Sequence, residues 1–512
     1  MDVRSLMRRS AGHFAASEAV VHAGVRLNFA EAWDRGLRLA NALLDLGLSP
    51  GDRVGVLEEN SLGAADAFLG MAAANLVRVP LYPRDSREAH GHMLNHTGCR
   101  ALLVTPHHLA SVTGLEAELP ALEHVLVRDD TYESWLARYE PTDPDPAVSP
   151  EDWYVIRHTA GTTGPAKGVA YSHRSWLAAG RDWFYPLPPV EPGDRCLHLG
   201  PISHGSGYLF TPLWLSGGSN VMVDHIQPEA VLDLIESERI AYMFMVPTLL
   251  GLLARHPSAR GRDWSALKVI NVAGAPISDD TALLARDVFG DVLYQLYGQT
   301  EAVPVSAIGP RQWFAEVEGS SPLRSAGRPL PFADLEILGE DGRPVAAGEE
   351  GEIAVRCDGQ MVGFWEDPKA TAERLVNGFV LTGDIGRLDA NGYLYVLDRK
   401  NDLIISGGFN IYPAELENVL MSHPAVVEAA VFAVPDDLWG ETPRAVCAVD
   451  PAWAVTAEEL IDLCRQRVGS YKKPSAIELV TEPLPRTPVG KLDRKTLREP
   501  HWQGISRRVA GT

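Results

Sequence analysis

Hydroxyl groups, glycines and one cation are concentrated in Thr159-Ala160-Gly161-Thr162-Thr163-Gly164-Pro165-Ala166-Lys167-Gly168, directly after the apolar run Tyr154-Val155-Ile156. Glycines let the backbone N–H groups approach an anion closely, the threonines add donors and Lys167 adds charge, so the segment is suited to cradling phosphate. No Gly-Lys-Ser/Thr opens a following helix, which separates it from the common mononucleotide-binding loop. A second cluster, Tyr297-Gly298-Gln299-Thr300-Glu301, follows the apolar run Val292 to Leu296. At a strand end, Glu301 can hold a magnesium ion and Thr300 a phosphate oxygen. In Thr382-Gly383-Asp384 the carboxylate can accept hydrogen bonds from a ribose diol. Two further segments complete the set. One runs from Gly392-Tyr393 through Asp398-Arg399-Lys400 to Ser406-Gly407-Gly408-Phe409-Asn410-Ile411-Tyr412-Pro413 and Glu415; the other is Pro485-Arg486-Thr487-Pro488-Val489-Gly490-Lys491.

Lysine is scarce, eight against thirty-eight arginines, yet Lys167, Lys400, Lys472, Lys473 and Lys491 fall in or beside these segments. The net charge of −21 argues against a nucleic-acid or anionic-membrane surface, so anions must be bound by local sites. Five scattered cysteines without a CxxC pair fit a reducing cytoplasmic setting and buried thiols. Met1 to Arg9 is short and charged, and neither a signal peptide nor a membrane span is expected. Of His90, His92 and His96 two lie four apart on an expected helix, but with only exposed-looking neighbours a metal site is not expected there.

These segments must be held by elements. From about 20 to 330, β-branched runs such as 53–57, 101–104, 220–223 and 242–245 alternate with helical patterns at 61–74, 90–95, 228–238 and 247–255. That alternation predicts an α/β fold of parallel sheets covered by helices, with ligands at the carboxyl ends of strands. From about 331 to 398, strands 335–338 and 351–355 around the turn Glu340-Asp341-Gly342 predict a β-barrel-like subdomain. A compact α+β tail follows, with strands at 403–405 and 426–434 and helices at 413–421 and 457–467. The expected domains are therefore 1–400 and a small C-terminal domain, 401–512.

Five motifs in this order resemble the adenylate-forming superfamily of acyl- and aryl-CoA ligases, nonribosomal adenylation domains and beetle luciferases, and within it the acyl-CoA ligase branch. The resemblance spans essentially the whole chain. It implies that ATP and a small-molecule carboxylic acid give acyl-AMP and pyrophosphate, after which the C-terminal domain rotates and the thiol of CoA attacks. It assigns Thr159, Gly161, Thr162, Thr163, Gly164 and Lys167 to the β- and γ-phosphates, Thr300 to the α-phosphate and Glu301 to Mg2+. Gly274-Ala275-Pro276 would line the adenine, with Tyr297, Gly298 and Gln299 in the nucleotide site and Asp384 and Arg399 on the ribose. Lys491 would bridge the carboxylate and α-phosphate, and Ser406-Gly407-Gly408 would form the pantetheine tunnel. The pivot maps to Asn401, where the family usually has aspartate or lysine. Pro165-Ala166 and Ala160 also depart from the family's loop, leaving its donors in place.

The same resemblance maps the acyl pocket to Ser203 to Tyr208, Phe244 to Thr248, Val272 to Gly274, Gly298 and Val303-Pro304. His204 stands there without a carboxylate that would pair an α-ammonium group. An aryl, cyclic or medium-chain acid is thus expected over an amino acid. Gly205, Gly207 and Gly298 either leave room for a ring or serve tight packing, and His204 either gates the tunnel or is a core histidine. Three functions remain open: a CoA ligase; an adenylating enzyme serving a carrier-protein thiol, an amine or nitrite; and a catalytically silent binding protein. A separate carrier protein and a homodimer are partners left open.

Overall fold

The computed structural model describes residues 1–159, 166–400, 402–407, 409–436, 438–487 and 492–502. The alternating strands and helices assemble into two large sheets. In the nine-stranded sheet the order is Arg328–Pro329, Ala302–Ile308, Leu293–Gln299, Val269–Val272, Tyr242–Met245, Arg195–His198, Ser219–Met222, Glu18–His22 and Val25–Asn28. Its inner strands run parallel and both edges are antiparallel. The seven-stranded sheet runs Gly363–Phe364, Lys167–Ser172, Trp153–Thr159, Val77–Pro80, Arg53–Leu57, Ala101–Val104 and His124–Val127.

The helix Leu62–Ala74 lies between the two sheets, touching Val77–Pro80 of one and Glu18–His22 of the other. Its sequence is apolar on nearly every side, as a buried helix requires, and its one charge, Asp66, is paired with Arg35 at 2.8 Å. The Ser61 hydroxyl caps it by accepting the Ala64 N–H at 3.1 Å. It crosses the amphipathic helix Phe29–Asp45 at Gly36, where an added Cβ would lie 2.7 Å from Leu69 Cβ. Glycine is therefore needed for the two backbones to approach this closely.

Residues Ala333–Leu338, Gly351–Cys357, Leu375–Val376, Phe379–Leu388 and Leu394–Arg399 form an antiparallel half-barrel. Val355 and Val380 pack on Ala302 and Val305 of the nine-stranded sheet. The C-terminal domain has its own five-stranded sheet, from Phe409–Ile411 through Ile404–Ser406, Gly440–Val449 and Val426–Asp436, with Ala476–Val480 beside Gly440–Val449. Helices Pro413–Met421 and Ala457–Val468 cover it, and Ile404, Leu416, Val431, Cys447 and Leu460 fill a core separate from that of the large domain. Differences from the expected elements are at the ends. The helix expected at 90–95 is Arg87–Thr97, opened by Ser86 and closed by Gly98, and the strand expected at 403–405 is Ile404–Ser406. All five cysteines are buried. Among the described residues no helix is long and apolar enough to cross a membrane.

Candidate active site

The phosphate-cradle segment joins the antiparallel strands Trp153–Thr159 and Lys167–Ser172, with Thr159 opposite Lys167. The first strand is buried on both faces, Tyr154, Val155 and Ile156 included, and the segment follows its carboxyl end in the chain. Gly161, Thr162, Thr163 and Gly164 lie outside the described residues. The Lys167 ammonium sits 5.3 Å from the Phe364 ring centroid, on the strand that closes this edge of the sheet. The three helix histidines have partners of their own. His90 Nε2 meets Tyr82 O at 2.9 Å, His92 Nε2 meets Ala166 O at 2.9 Å, and His96 Nδ1 lies 3.4 Å from His158 Nε2. They brace the base of the loop.

Facing this loop, the strand Leu293–Gln299 turns sharply into Ala302–Ile308 through Thr300 and Glu301. The Tyr171 hydroxyl donates to Thr300 O at 2.5 Å, tying the turn to the phosphate-loop hairpin. Glu301 is buried, and its closest cation is Arg374 at 3.7 Å. Its charge reaches the hydroxyls of Tyr82, Tyr171 and Tyr208 and the Arg399 guanidinium. A buried carboxylate with no hydrogen-bonded cation among the described residues is a hard oxygen donor that fits a magnesium ion.

Next to it the half-barrel brings in Asp384. Tyr297 Oη and Gln299 Nε2 each donate to Asp384 Oδ2 at 2.7 Å, and Arg399 Nε pairs with Oδ1 at 2.9 Å. Burial and this carboxylate push the Tyr297 hydroxyl well above its ordinary value, so it remains a donor. The residues expected on the ribose thus form one network held by two separate sheets. Gly274, Ala275 and Pro276 form an exposed rim after the strand Val269–Val272, at its carboxyl end.

The expected acyl-pocket residues also converge. The Tyr208 ring is stacked between Trp176 and Trp183, with centroids 4.9 and 4.8 Å away, and Trp183 meets Phe244 edge-on. His204 stands edge-on to Tyr82 at 5.6 Å, and the Tyr82 hydroxyl donates to His158 O at 2.6 Å. The glycines serve packing. A Cβ at Gly205 would fall 2.6 Å from the Phe244 ring, one at Gly207 2.0 Å from Ile202 O and one at Gly298 2.9 Å from Ala302 O.

In the small domain, Ser406 pairs with Gly440. Gly407 takes φ +57° and donates its N–H to Trp439 O at 2.9 Å, while a Cβ there would lie 2.6 Å from the Trp439 ring. Gly408, Asn401 and Lys491 lie outside the described residues. Near Lys491, Arg486 pairs with Glu428 and lies close enough to Arg84 of the large domain for the two cations to interact. Tyr82, Arg157, Tyr171 and Arg374 join the site without having been singled out from sequence. Of these, Arg157 carries the one available signal, a charge inside a strand whose neighbours are apolar.

A family model of AMP-binding enzymes matches residues 7–365, and that of the AMP-binding enzyme C-terminal domain matches 415–491. A feruloyl-CoA synthase from an Amycolatopsis species is 37% identical over 486 residues, covering 94% of this chain and 95% of that protein. An indoleacetate–CoA ligase from Aromatoleum aromaticum is 32% identical over 513 residues, covering 98% of each. Among solved structures, the amide bond synthetase McbA from Marinactinospora thermotolerans superposes with a TM-score of 0.86 at 30% identity, covering 97% of this chain and 99% of that one. Motif order, strand-end geometry and these likenesses agree: the chain belongs to the AMP-binding enzyme family and is an ATP-dependent, AMP-forming ligase.

Proposed function

We propose that the enzyme couples an aryl, cyclic or medium-chain carboxylic acid to CoA through an acyl-adenylate. The observation that carries this reading is that Glu301 and Asp384 both act on the Arg399 guanidinium, while the Tyr171 hydroxyl ties Thr300 to the hairpin whose strand ends are Thr159 and Lys167. Two anions must meet at phosphorus, so the barrier is largely electrostatic and fixed cations lower it. In this reading Thr159, Thr162, Thr163 and Lys167 hold the β- and γ-phosphates, Thr300 the α-phosphate, and Asp384 and Arg399 the ribose. Glu301 would hold Mg2+, which supplies charge neutralisation on the phosphates. Lys491 would bridge carboxylate and α-phosphate, and the Ser406 to Gly408 turn would admit the pantetheine arm after rotation of the small domain, 401–512. Five unpaired, buried thiols support a cytoplasmic setting.

The test is pyrophosphate release with ATP, magnesium and a panel of aryl, cyclic and C2 to C12 acids, with and without CoA. Turnover that requires CoA and yields an acyl-CoA is expected. Lys491→Ala is expected to abolish adenylation while leaving thiolysis of supplied acyl-AMP in place; equal loss of both half-reactions would overturn that assignment. The likeness to an amide bond synthetase favours one second reading, in which an amine takes the acyl group from the adenylate. Pyrophosphate release that depends on added amine and not on CoA would select it.

A further inference from the structure

Arg157 is 2% exposed, yet it makes no ion pair with any carboxylate among the described residues. Its Nη2 makes two long contacts, 3.3 Å to Ser203 O and 3.4 Å to His204 Nδ1, and its Nη1 has no partner. The guanidinium lies over the Tyr208 ring at 4.4 Å. Ser203 Oγ, also buried, is without a partner. A second buried guanidinium, Arg78, stacks 3.7 Å over Phe68 with its Nε unpartnered and likewise lacks a carboxylate among the described residues. Burying cations unpaired is costly, and stacking on two rings offsets only part of that cost.

The contacts of Arg157 are with residues of one wall. Ser203, His204 and Tyr208 form the wall mapped to the acyl pocket, while Tyr82, edge-on to His204, lies within the fields of both Arg157 and Glu301. The cation therefore sits against the wall mapped to the acyl pocket, two residues before Thr159 on the same strand. Because arginine only donates, His204 Nδ1 must accept, which puts the imidazole proton on Nε2. The imidazole is thereby oriented and Arg157 keeps donors to spare.

We propose that Arg157 determines specificity by donating to an oxygen substituent on the acyl group, so that preferred acids carry a phenolic or carboxylate oxygen besides the carboxyl that is activated. This rests on the acid-activating reading above. A site built to hydrogen-bond a substrate oxygen discriminates strongly against the analogue that lacks it, because its buried donors are then left unpaired. Methionine at 157 would remove the donors and much of the discrimination. Lysine would keep the charge but not the fork of donors.

The experiment compares kcat/KM of the full chain, by pyrophosphate release, for matched acids. The pairs are benzoate and the hydroxybenzoates, cinnamate and the hydroxycinnamates, and a monoacid and a dicarboxylate of equal length. At least one oxygenated member is expected to exceed its parent by about a hundredfold or more, and the phenol and dicarboxylate arms identify which oxygen is read. Arg157→Met is expected to bring that ratio below about tenfold, and Arg157→Lys to leave it intermediate. The proposal is overturned if no oxygenated acid exceeds its parent by more than about threefold, or if the ratio survives in Arg157→Met. Should that variant fail to fold, the wild-type ratios and Arg157→Lys decide. Silence toward every acid would instead overturn the acid-activating reading itself.

Discussion

Glu301 and His198 illustrate two fates of a titratable side chain in this fold. Glu301 is buried beside the expected phosphate path with Arg374 as its closest cation, and Glu301→Gln removes the oxygen charge expected to hold magnesium. A loss of about a hundredfold or more in pyrophosphate release is expected, relieved partly by raised magnesium; unchanged activity would remove Glu301 from the site. His198 is committed to structure. Its Nδ1 meets Ser206 Oγ at 2.7 Å and its Nε2 meets Asn220 Oδ1 at 2.8 Å, and burial pulls its pKa down to about 4. The folded value lies below the unfolded one, near 6.5. Its contribution to stability is therefore present above pH 6.5 and lost as pH falls toward 4. His198→Gln should flatten the fall in unfolding free energy between those limits by about 1.4 kcal/mol per pH unit, read from denaturant midpoints at several pH values.

Elements explain why some of this was legible and some was not. The helix at Pro247–Arg255 lies where its pattern and opening proline predict, and Thr300-Glu301 falls at a strand end as the preceding apolar run implied. Local signals of this kind survive folding. The Tyr297–Gln299–Asp384–Arg399 network was legible as separate motifs and not as shared hydrogen bonds, because the half-barrel and the nine-stranded sheet meet only in three dimensions. Arg157 needed the structure for the same reason, its partners lying far along the chain at Ser203 and Tyr208. Glycines were left with two meanings, room or packing, and at Gly205 the Phe244 ring that covers it favours packing. At Gly36 the constraint is plain, and Gly36→Ala should lower stability by about 1–3 kcal/mol, measured by denaturant unfolding. Gly407→Val combines a left-handed backbone with collision against Trp439 and should slow acyl transfer to CoA more than adenylation. Equal slowing of both steps would argue against a role for that turn in the second half-reaction.

Across the molecule, the proposed two-step reaction needs the large and small domains to take up particular orientations. Tyr412 of the small domain donates to Glu350 of the half-barrel at 2.5 Å, and the N–H of Ala414 donates to Asp398 at 3.0 Å. Such bonds hold one arrangement in preference to another. Removing the phenol in Tyr412→Phe should cost this orientation about 1 kcal/mol, or roughly fivefold in population. Single-turnover measurement of pyrophosphate and acyl-CoA formation should show the ratio of the two rates shifted, and an unchanged ratio would mean that the bond does not bias the step. The buried cysteines bear on the same chemistry from another side. Burial pushes every thiol up, to about 12 at Cys99, Cys357, Cys447 and Cys464. An acyl-adenylate reacts with thiolates, which take the acyl group and release AMP. A chain whose five cysteines are all buried and held protonated offers the activated acid no competing thiolate, so a thiol acceptor that enters from outside has no internal thiol as a rival.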